Sequence, residues 1–568
     1  MSKKTRRFLP YDFKIDKAEQ FEKYLVELSE RVIETKSDLE NFIFDYGEIY
    51  AVASEDMAWR YINMTIDTRD EKWQNAYSDF VKNIQPLLSK YTNIYDKKIH
   101  ESPLKKNLLK KEGFEILFRN TASSIELFRE ENIPLQSKQS EKSKEYGAIS
   151  AAMSVEIEGK KLTLQAAGKY LQNTNRDVRK EAYTKIQERR KQDTEKLHLL
   201  LDELIELRQE IAKNAGFDNY VDYRFKALGR FDYGLKECQE FHESAEKEIV
   251  PILDKLYKIK KQELGLDTLK PYDLSATPEG QEPLKPFDGA DDLIEKSRKI
   301  FHKIDEDFGK GLDKLVELKH LDLESKEGKA PGGYNYPLYE TGVPFIFMNA
   351  VGTHSDMITM MHEGGHAVHS VLTQTLPTTQ FKSFPSEIAE LASMSTELLS
   401  MPYWDEFYPE AEDLKKAKKD QLFRVIEVLP WVALIDAFQI WLYQTPGHTH
   451  QEREEKWTEL FKRFTSSEVD YSESEQYIGT IWQKQLHIYE VPFYYIEYGI
   501  AQLGAIGVWK NSVADKEKAT FHFKKALMAG NMFSLPDTYQ KAKVPFDFSQ
   551  KRISVLAKFV MQELDKLT

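Results

Sequence analysis

The chain has 568 residues, 41% of them hydrophobic and 30% charged, with a formal net charge of −13. That balance describes a globular protein able to bury a large core, and the acidic excess argues against a nucleic-acid partner, which would want a basic face. One cysteine, Cys238, excludes intramolecular disulfides and gives no support to an oxidising compartment, so a cytoplasmic location is expected.

The basic start, Met1 to Pro10, lacks the apolar stretch of a signal peptide, and no apolar run approaches the roughly 18 residues a membrane span needs, so no membrane partner is expected. Amphipathic helices are predicted over Ala18 to Glu34, Ser37 to Val52, from Asp56 onward, and over Gln74 to Ser89. Ser154 to Gln165 alternates around Gly159 and reads as a strand, turn and strand, after which helices return from Ala166 to Ala215. The proline-bearing stretch from Pro271 to Asp288 is a loop or linker, and His448 and His450 read as a solvated loop and helix face. The architecture is mostly α.

Ala330 to Asn349 is rich in Gly, Pro and aromatics, with β-forming residues at Phe345 to Met348; Pro337 and Pro344 argue for an edge strand. An edge offers unpaired backbone groups to an extended peptide, with Gly332, Gly333 and Tyr334 as substrate neighbours. A purely structural hairpin is an equal alternative.

His362, Glu363 and His366 form an H-E-x-x-H motif. On a helix, residues four apart share a face, so two imidazoles converge on one Zn²⁺ while the carboxylate between them serves as base to an activated water. Thr353 or Ser355 can cap this helix, Asp356 sits in its first turn, and Met357, Ile358, Met361, Val368, Val371 and Leu372 supply an apolar face. Gly364 and Gly365 each cost about 1 kcal/mol in a helix interior, and are expected to provide clearance for another backbone or a substrate.

A catalytic zinc needs a third protein ligand. His369 stands where the H-x-x-G-x-x-H extension would need glycine, which excludes that class and leaves a carboxylate. Pro385 to Leu399 reads as a second helix on which Glu387, Glu390 and Glu397 fall at i, i+3 and i+10, and spacing alone does not choose among them. Further on, Leu486 to Gly499 holds His487 with Tyr494, Tyr495 and Tyr498. Tyr494 or Tyr495 pairs with Tyr498 on one helix face, either filling a core or aiming hydroxyls at a reacting carbonyl.

His362-Glu-Gly-Gly-His366 followed by Ser386-Glu-Ile-Ala-Glu-Leu-Ala-Ser-Met-Ser-Thr-Glu-Leu-Leu399 resembles the oligoendopeptidase F and thimet oligopeptidase family of zinc metallopeptidases. The resemblance implies Glu390 as third ligand, one Zn²⁺ per chain, and Glu397 as support for a zinc-binding histidine; Glu387 matches no family position and reads as a solvated or first-turn helix carboxylate. It implies His487, Tyr495 and Tyr498 as substrate and transition-state contacts. Glu490-Val-Pro-Phe493 replaces the glycine-rich loop of thimet-type members, which fits the Pz-peptidase-like branch better.

The fold it implies is a helical, two-lobed metallopeptidase with a deep substrate channel and a small β-sheet beside the motif helix. Residues 1–165 would wall the channel and 166–568 form the catalytic part, although the first 150 resemble the family only in being helical. The expected activity is hydrolysis of internal bonds in oligopeptides. The alternatives are a zinc carboxypeptidase or dipeptidase, which would need a cationic or closed end to recognise a terminus, and a non-catalytic peptide-binding protein. Cleavage preference and oligomeric state are not legible.

Overall fold

The computed structural model describes residues 6–567; residues 1–5 of the basic start lie outside them. Helices dominate, with a two-stranded and a three-stranded sheet. In the first sheet β1 (Ser154–Ile157) pairs antiparallel with β2 (Lys160–Thr163). Glu158 and Gly159 both take positive φ, 51° and 72°, the backbone a two-residue hairpin turn requires.

Two apolar cores organise the chain. One draws on Leu9 to Phe118 plus Phe381, and the other on residues from Tyr146 to Leu564. In the first, Lys36–Ile66 is a single 31-residue helix, where the sequence had suggested two. No proline interrupts that run, and Glu55 inside it is buried, accepting from Thr341 and Glu340 backbone N–H groups at 2.7 and 2.8 Å. This carboxylate ties the helix to the segment ahead of the metal motif.

The second sheet runs β3 (Leu321–Glu324), β5 (Phe345–Ala350), β4 (Tyr334–Tyr336) in spatial order. β5 is therefore central, parallel to β3 and antiparallel to β4. Pro344 precedes β5 and costs it no ladder bond, so a central place is open to β5, and the edge strands are β3 and β4.

Three helices carry the site: the motif helix (His354–Leu372), the carboxylate helix (Ser386–Ser400) and the tyrosine helix (Tyr495–Ala514). Thr353 caps the first in a reciprocal box with Asp356: its hydroxyl accepts from Asp356 N–H at 3.2 Å, and the Asp356 carboxylate accepts from Thr353 N–H at 2.9 Å. A Cβ on Gly365 would lie 2.7 Å from Ser393 Cα and 2.9 Å from Ala392 O, and one on Gly364 would lie 2.4 Å from the Phe301 ring. The two glycines thus admit a neighbouring helix and an aromatic ring, and not a substrate.

Two other expectations are corrected. The helix Ala411–Gln444 does have the length and apolarity to cross a membrane; 72% of its apolar window is buried inside the protein, as a core helix. His450 is not merely solvated: its ring stacks on His198 at 4.3 Å and bonds with Asp202 at 2.6 Å, while His448 Nε2 accepts from Arg453 at 3.0 Å.

Candidate metal centre and active site

His362 and His366 lie one turn apart with ring centroids at 4.9 Å, and the carboxylate helix crosses so that Glu390 faces both. Glu390 Oε2 is 3.3 Å from His362 Nε2 and 3.7 Å from His366 Nε2. One donor atom from each of these three residues lies within 4.8 Å of the others, the sole such grouping of metal-binding side chains among the described residues. Two imidazole nitrogens and one carboxylate oxygen converging on one point fit a catalytic zinc, which takes three protein ligands and leaves a position open.

The surroundings are built for a cation. His362 Nδ1 donates to Glu397 Oε1 at 2.7 Å, and Gln421 Nε2 donates to Glu397 Oε2 at 2.8 Å. Burial alone would depress the His362 pKa, but the hydrogen bonds with Glu390 and Glu397 hold it well above the usual range. His366, also facing Glu390, is instead pushed down to about 4 by burial, with its neighbour His362 adding to the shift. One carboxylate between two rings supports one positive charge readily and a second poorly. Glu390 itself falls to about 2: burial pushes it up, but the two histidines and Tyr494 outweigh this.

Glu363 is buried, and burial raises its carboxyl to about 7. A carboxyl poised near neutrality suits a general base that must later return its proton. Asn335 of β4 donates to the Glu363 backbone carbonyl at 3.4 Å, which sets the edge strand against the motif helix. His369 is turned away and stacks on Phe384 at 3.6 Å.

The downstream cluster meets the same centre. Tyr494 O–H donates to Glu390 Oε1 at 2.8 Å, and the Tyr498 hydroxyl lies 3.4 Å from His487 Nε2. Gln485 Nε2 lies 2.8 Å from His487 Nδ1, and an amide N–H can only donate, so Nδ1 accepts. Burial lowers His487 to about 4, leaving it neutral with its proton on Nε2, toward Tyr498. Burial, with Glu390 nearby, raises the Tyr498 phenol well above its usual value and keeps it a donor. The Tyr495 hydroxyl bonds instead with Trp431 and Gln485.

Tyr494 is thus the residue that sequence reasoning passed over. The signal was present in its i, i+4 spacing to Tyr498, but the resemblance had pointed to Tyr495. Glu387 is corrected as well: it is buried, accepting from Tyr233 O–H at 2.7 Å beside the Arg230–Glu497 ion pair of 2.9 Å. Gly332 has φ of 96° with nothing near its Cβ position, whereas a Cβ on Gly333 would lie 3.3 Å from Phe347 O of β5. Tyr334 is engaged elsewhere, its hydroxyl 2.6 Å from Thr65 Oγ1 and its ring stacked on Phe347 at 4.8 Å.

A helical fold with a two-histidine, one-glutamate centre and a carboxylate behind one ligand is the architecture of a metallopeptidase. The particular family follows from comparison: residues 169–554 match the model of peptidase family M3 and residues 8–128 match the peptidase M3 N-terminal domain, so the chain belongs to peptidase family M3. The match over residues 8–128 corrects the expectation that the first 150 residues share only helicity with the family.

Relatives include an oligoendopeptidase F homolog of Lactococcus lactis subsp. lactis (strain IL1403), 26% identical over 34% of this chain and 29% of the relative. Oligopeptidase PepF of Bacillus subtilis (strain 168) is 25% identical over 41% of this chain and 34% of its own. The chain therefore aligns with about a third of the length of these relatives. A solved structure of Pz peptidase A with an inhibitor superposes with a TM-score of 0.92 at 25% identity, covering 99% of both chains. Oligoendopeptidase F from Enterococcus faecium shares the fold, with a TM-score of 0.67 at 16% identity over 97% of this chain and 96% of its own.

Proposed function

We propose that this protein is a zinc-dependent oligoendopeptidase that hydrolyses internal bonds of short peptides. The observation that carries the reading is the convergence of His362, His366 and Glu390 within 4.8 Å, beside Glu363 and the open edge of β4. Zn²⁺ held by these three residues would supply Lewis acidity to a water and to the scissile carbonyl.

The chain's own groups do the rest. Glu363 takes the proton of the attacking water and returns it to the leaving amine. Tyr498 O–H and His487 Nε2–H donate to the carbonyl oxygen as it becomes an oxyanion. Tyr494 fixes the Glu390 carboxylate, and Glu397 fixes the His362 ring and tautomer. The outer edge of β4 pairs with the peptide backbone, with Gly332 and Gly333 keeping its entrance free of side chains. Residues 1–165 wall a channel that admits oligopeptides, residues 166–568 carry the chemistry, and the site of action is the cytoplasm.

The test is cleavage of an internally quenched peptide, blocked at both ends, by the zinc-loaded protein and by Glu363→Gln. Internal cleavage by the wild type, lost in a variant that retains one zinc per chain, supports the reading. Zinc binding without cleavage of blocked peptides, but with cleavage of free ones, would turn it into a carboxypeptidase.

A further inference from the structure

A cavity of about 640 Å³ is lined in part by Arg190, Arg424, Glu427, Trp431 and Lys484. The Lys484 ammonium sits 4.7 Å from the Trp431 ring centroid, and Trp431 Nε1 donates to Gln485 Oε1 at 3.4 Å. Gln485 in turn holds His487, which meets Tyr498. Trp431 and Gln485 thus link the cavity to His487 and Tyr498.

The charge inside is unbalanced. Arg190, Arg424 and Lys484 have no ion pair and no side-chain hydrogen bond among the described residues. The one carboxylate in the lining, Glu427, is already bonded by the Tyr257 hydroxyl. Lys484 and Arg424 are exposed and Arg190 is half-buried, so all three are open to a ligand that enters the cavity from solvent. Three cations against one carboxylate leave the lining with a positive excess in a chain of net charge −13, and that excess attracts an anion.

We propose that this cavity is an anion subsite of the substrate channel, where Lys484, Arg190 and Arg424 bind a carboxylate of the peptide. The proposal rests on the peptidase reading and deepens it by naming a substrate class, peptides that carry a negative charge at a set distance from the cleaved bond. A C-terminal carboxylate and an acidic side chain offer the same chemistry. Arg and Lys donors recognise both through charge-assisted hydrogen bonds.

The experiment uses internally quenched peptides of one core sequence in pairs. One pair compares a free C-terminal carboxylate with its amide, and the others, blocked at both ends, exchange Glu for Gln stepwise outward on each side of the scissile bond. The zinc-loaded wild type is expected to favour the anionic member of at least one pair by about ten- to hundredfold in kcat/KM, mostly through KM. Which pair responds distinguishes terminus from side chain.

Lys484→Met, alone and with Arg190→Gln, is expected to bring that ratio close to one, and Lys484→Arg to retain it. A ratio near one for the wild type in every pair, or a ratio that Lys484→Met leaves intact, overturns the subsite while peptide cleavage continues. Failure of the wild type to cleave any peptide overturns the peptidase reading and the subsite with it.

Discussion

Glu397 holds His362 from behind: its Oε1 accepts from Nδ1 at 2.7 Å, while Gln421 secures its other oxygen at 2.8 Å. A carboxylate can only accept, so a ring proton is pinned to Nδ1 and Nε2 is aimed at the space shared with His366 and Glu390. Glu397→Gln keeps the shape but removes the charge and the certainty of the tautomer. Zinc affinity, measured by competition with a chromophoric chelator, is expected to fall about 10- to 100-fold. Unchanged affinity would show that Glu397 is a packing residue.

The two tyrosines implied by the resemblance are separated by geometry. Tyr498 meets His487 at 3.4 Å, whereas the Tyr495 hydroxyl is occupied by Trp431 and Gln485. Tyr498→Phe is expected to lower kcat by about 100-fold or more, the scale of one lost oxyanion donor, at roughly 3 kcal/mol. Tyr495→Phe is expected to cost under tenfold. Equal losses in steady-state kinetics on one blocked peptide would contradict this division.

Gly365 belongs to a helix crossing. Its Cβ would meet Ser393 Cα at 2.7 Å, and backbone cannot rotate out of the way as a side-chain tip can. Gly365→Ala is expected to destabilise the protein by about 1–3 kcal/mol and to displace Glu390 from the histidines, so that urea midpoint and zinc affinity fall together. An alanine variant as stable as the wild type would mean the crossing is looser than drawn.

Arg230 is the counter-charge for a buried acidic pair. It bonds Glu497 at 2.9 Å and the Phe493 carbonyl, where the chain takes a positive φ of 66°, while Glu387 lies close by on Tyr233. Burial raises both carboxyls, Glu497 to about 8. Arg230→Leu leaves them without a cation and is expected to cost about 3–5 kcal/mol in urea unfolding. Because Phe493 precedes Tyr494, the same variant should weaken zinc binding. A cost below 1 kcal/mol would show that the acids simply protonate in compensation.

The anion preference should carry a pH signature. Burial brings Lys484 down to about 8, with Arg190 pushing in the same direction and Glu427 opposing; Arg424, Tyr183, Tyr257 and Tyr477 also line the space. Lysine is charged below its pKa, so the acid-over-amide ratio of kcat/KM, which reports the free protein, should hold below about pH 7 and decline as pH rises past 8. A ratio flat from pH 6 to 9.5 would assign the preference to the arginines alone.

Much of the centre was legible in the chain because its parts are local. His362, Glu363 and His366 follow from helical spacing, Thr353 and Asp356 from capping chemistry, and the β1–β2 hairpin from alternation around Gly159. Long-range pairings were not legible, because spacing constrains angle around one helix and says nothing about which helix comes to meet it. Glu387, Glu390 and Glu397 lie on one helix and spacing could not separate them. The crossing at Gly365 gives Glu390 to both histidines, Glu397 to one, and Glu387 to Arg230 and Tyr233 on the far side. The helix Ala411–Gln444 shows the same limit: an apolar window within it suits a membrane span by length and composition, and only the helices packed around it make it a core element.

The amino-acid sequence by itself determined the H-E-x-x-H motif and the helical class, since each depends on residues within a few turns of one another. Tertiary structure alone decided that Tyr494 holds Glu390, that β5 is central and β4 an edge strand, and that three cations from separate segments line one cavity. These relations join residues up to hundreds of positions apart, and only the burial of two apolar cores brings them within hydrogen-bonding range.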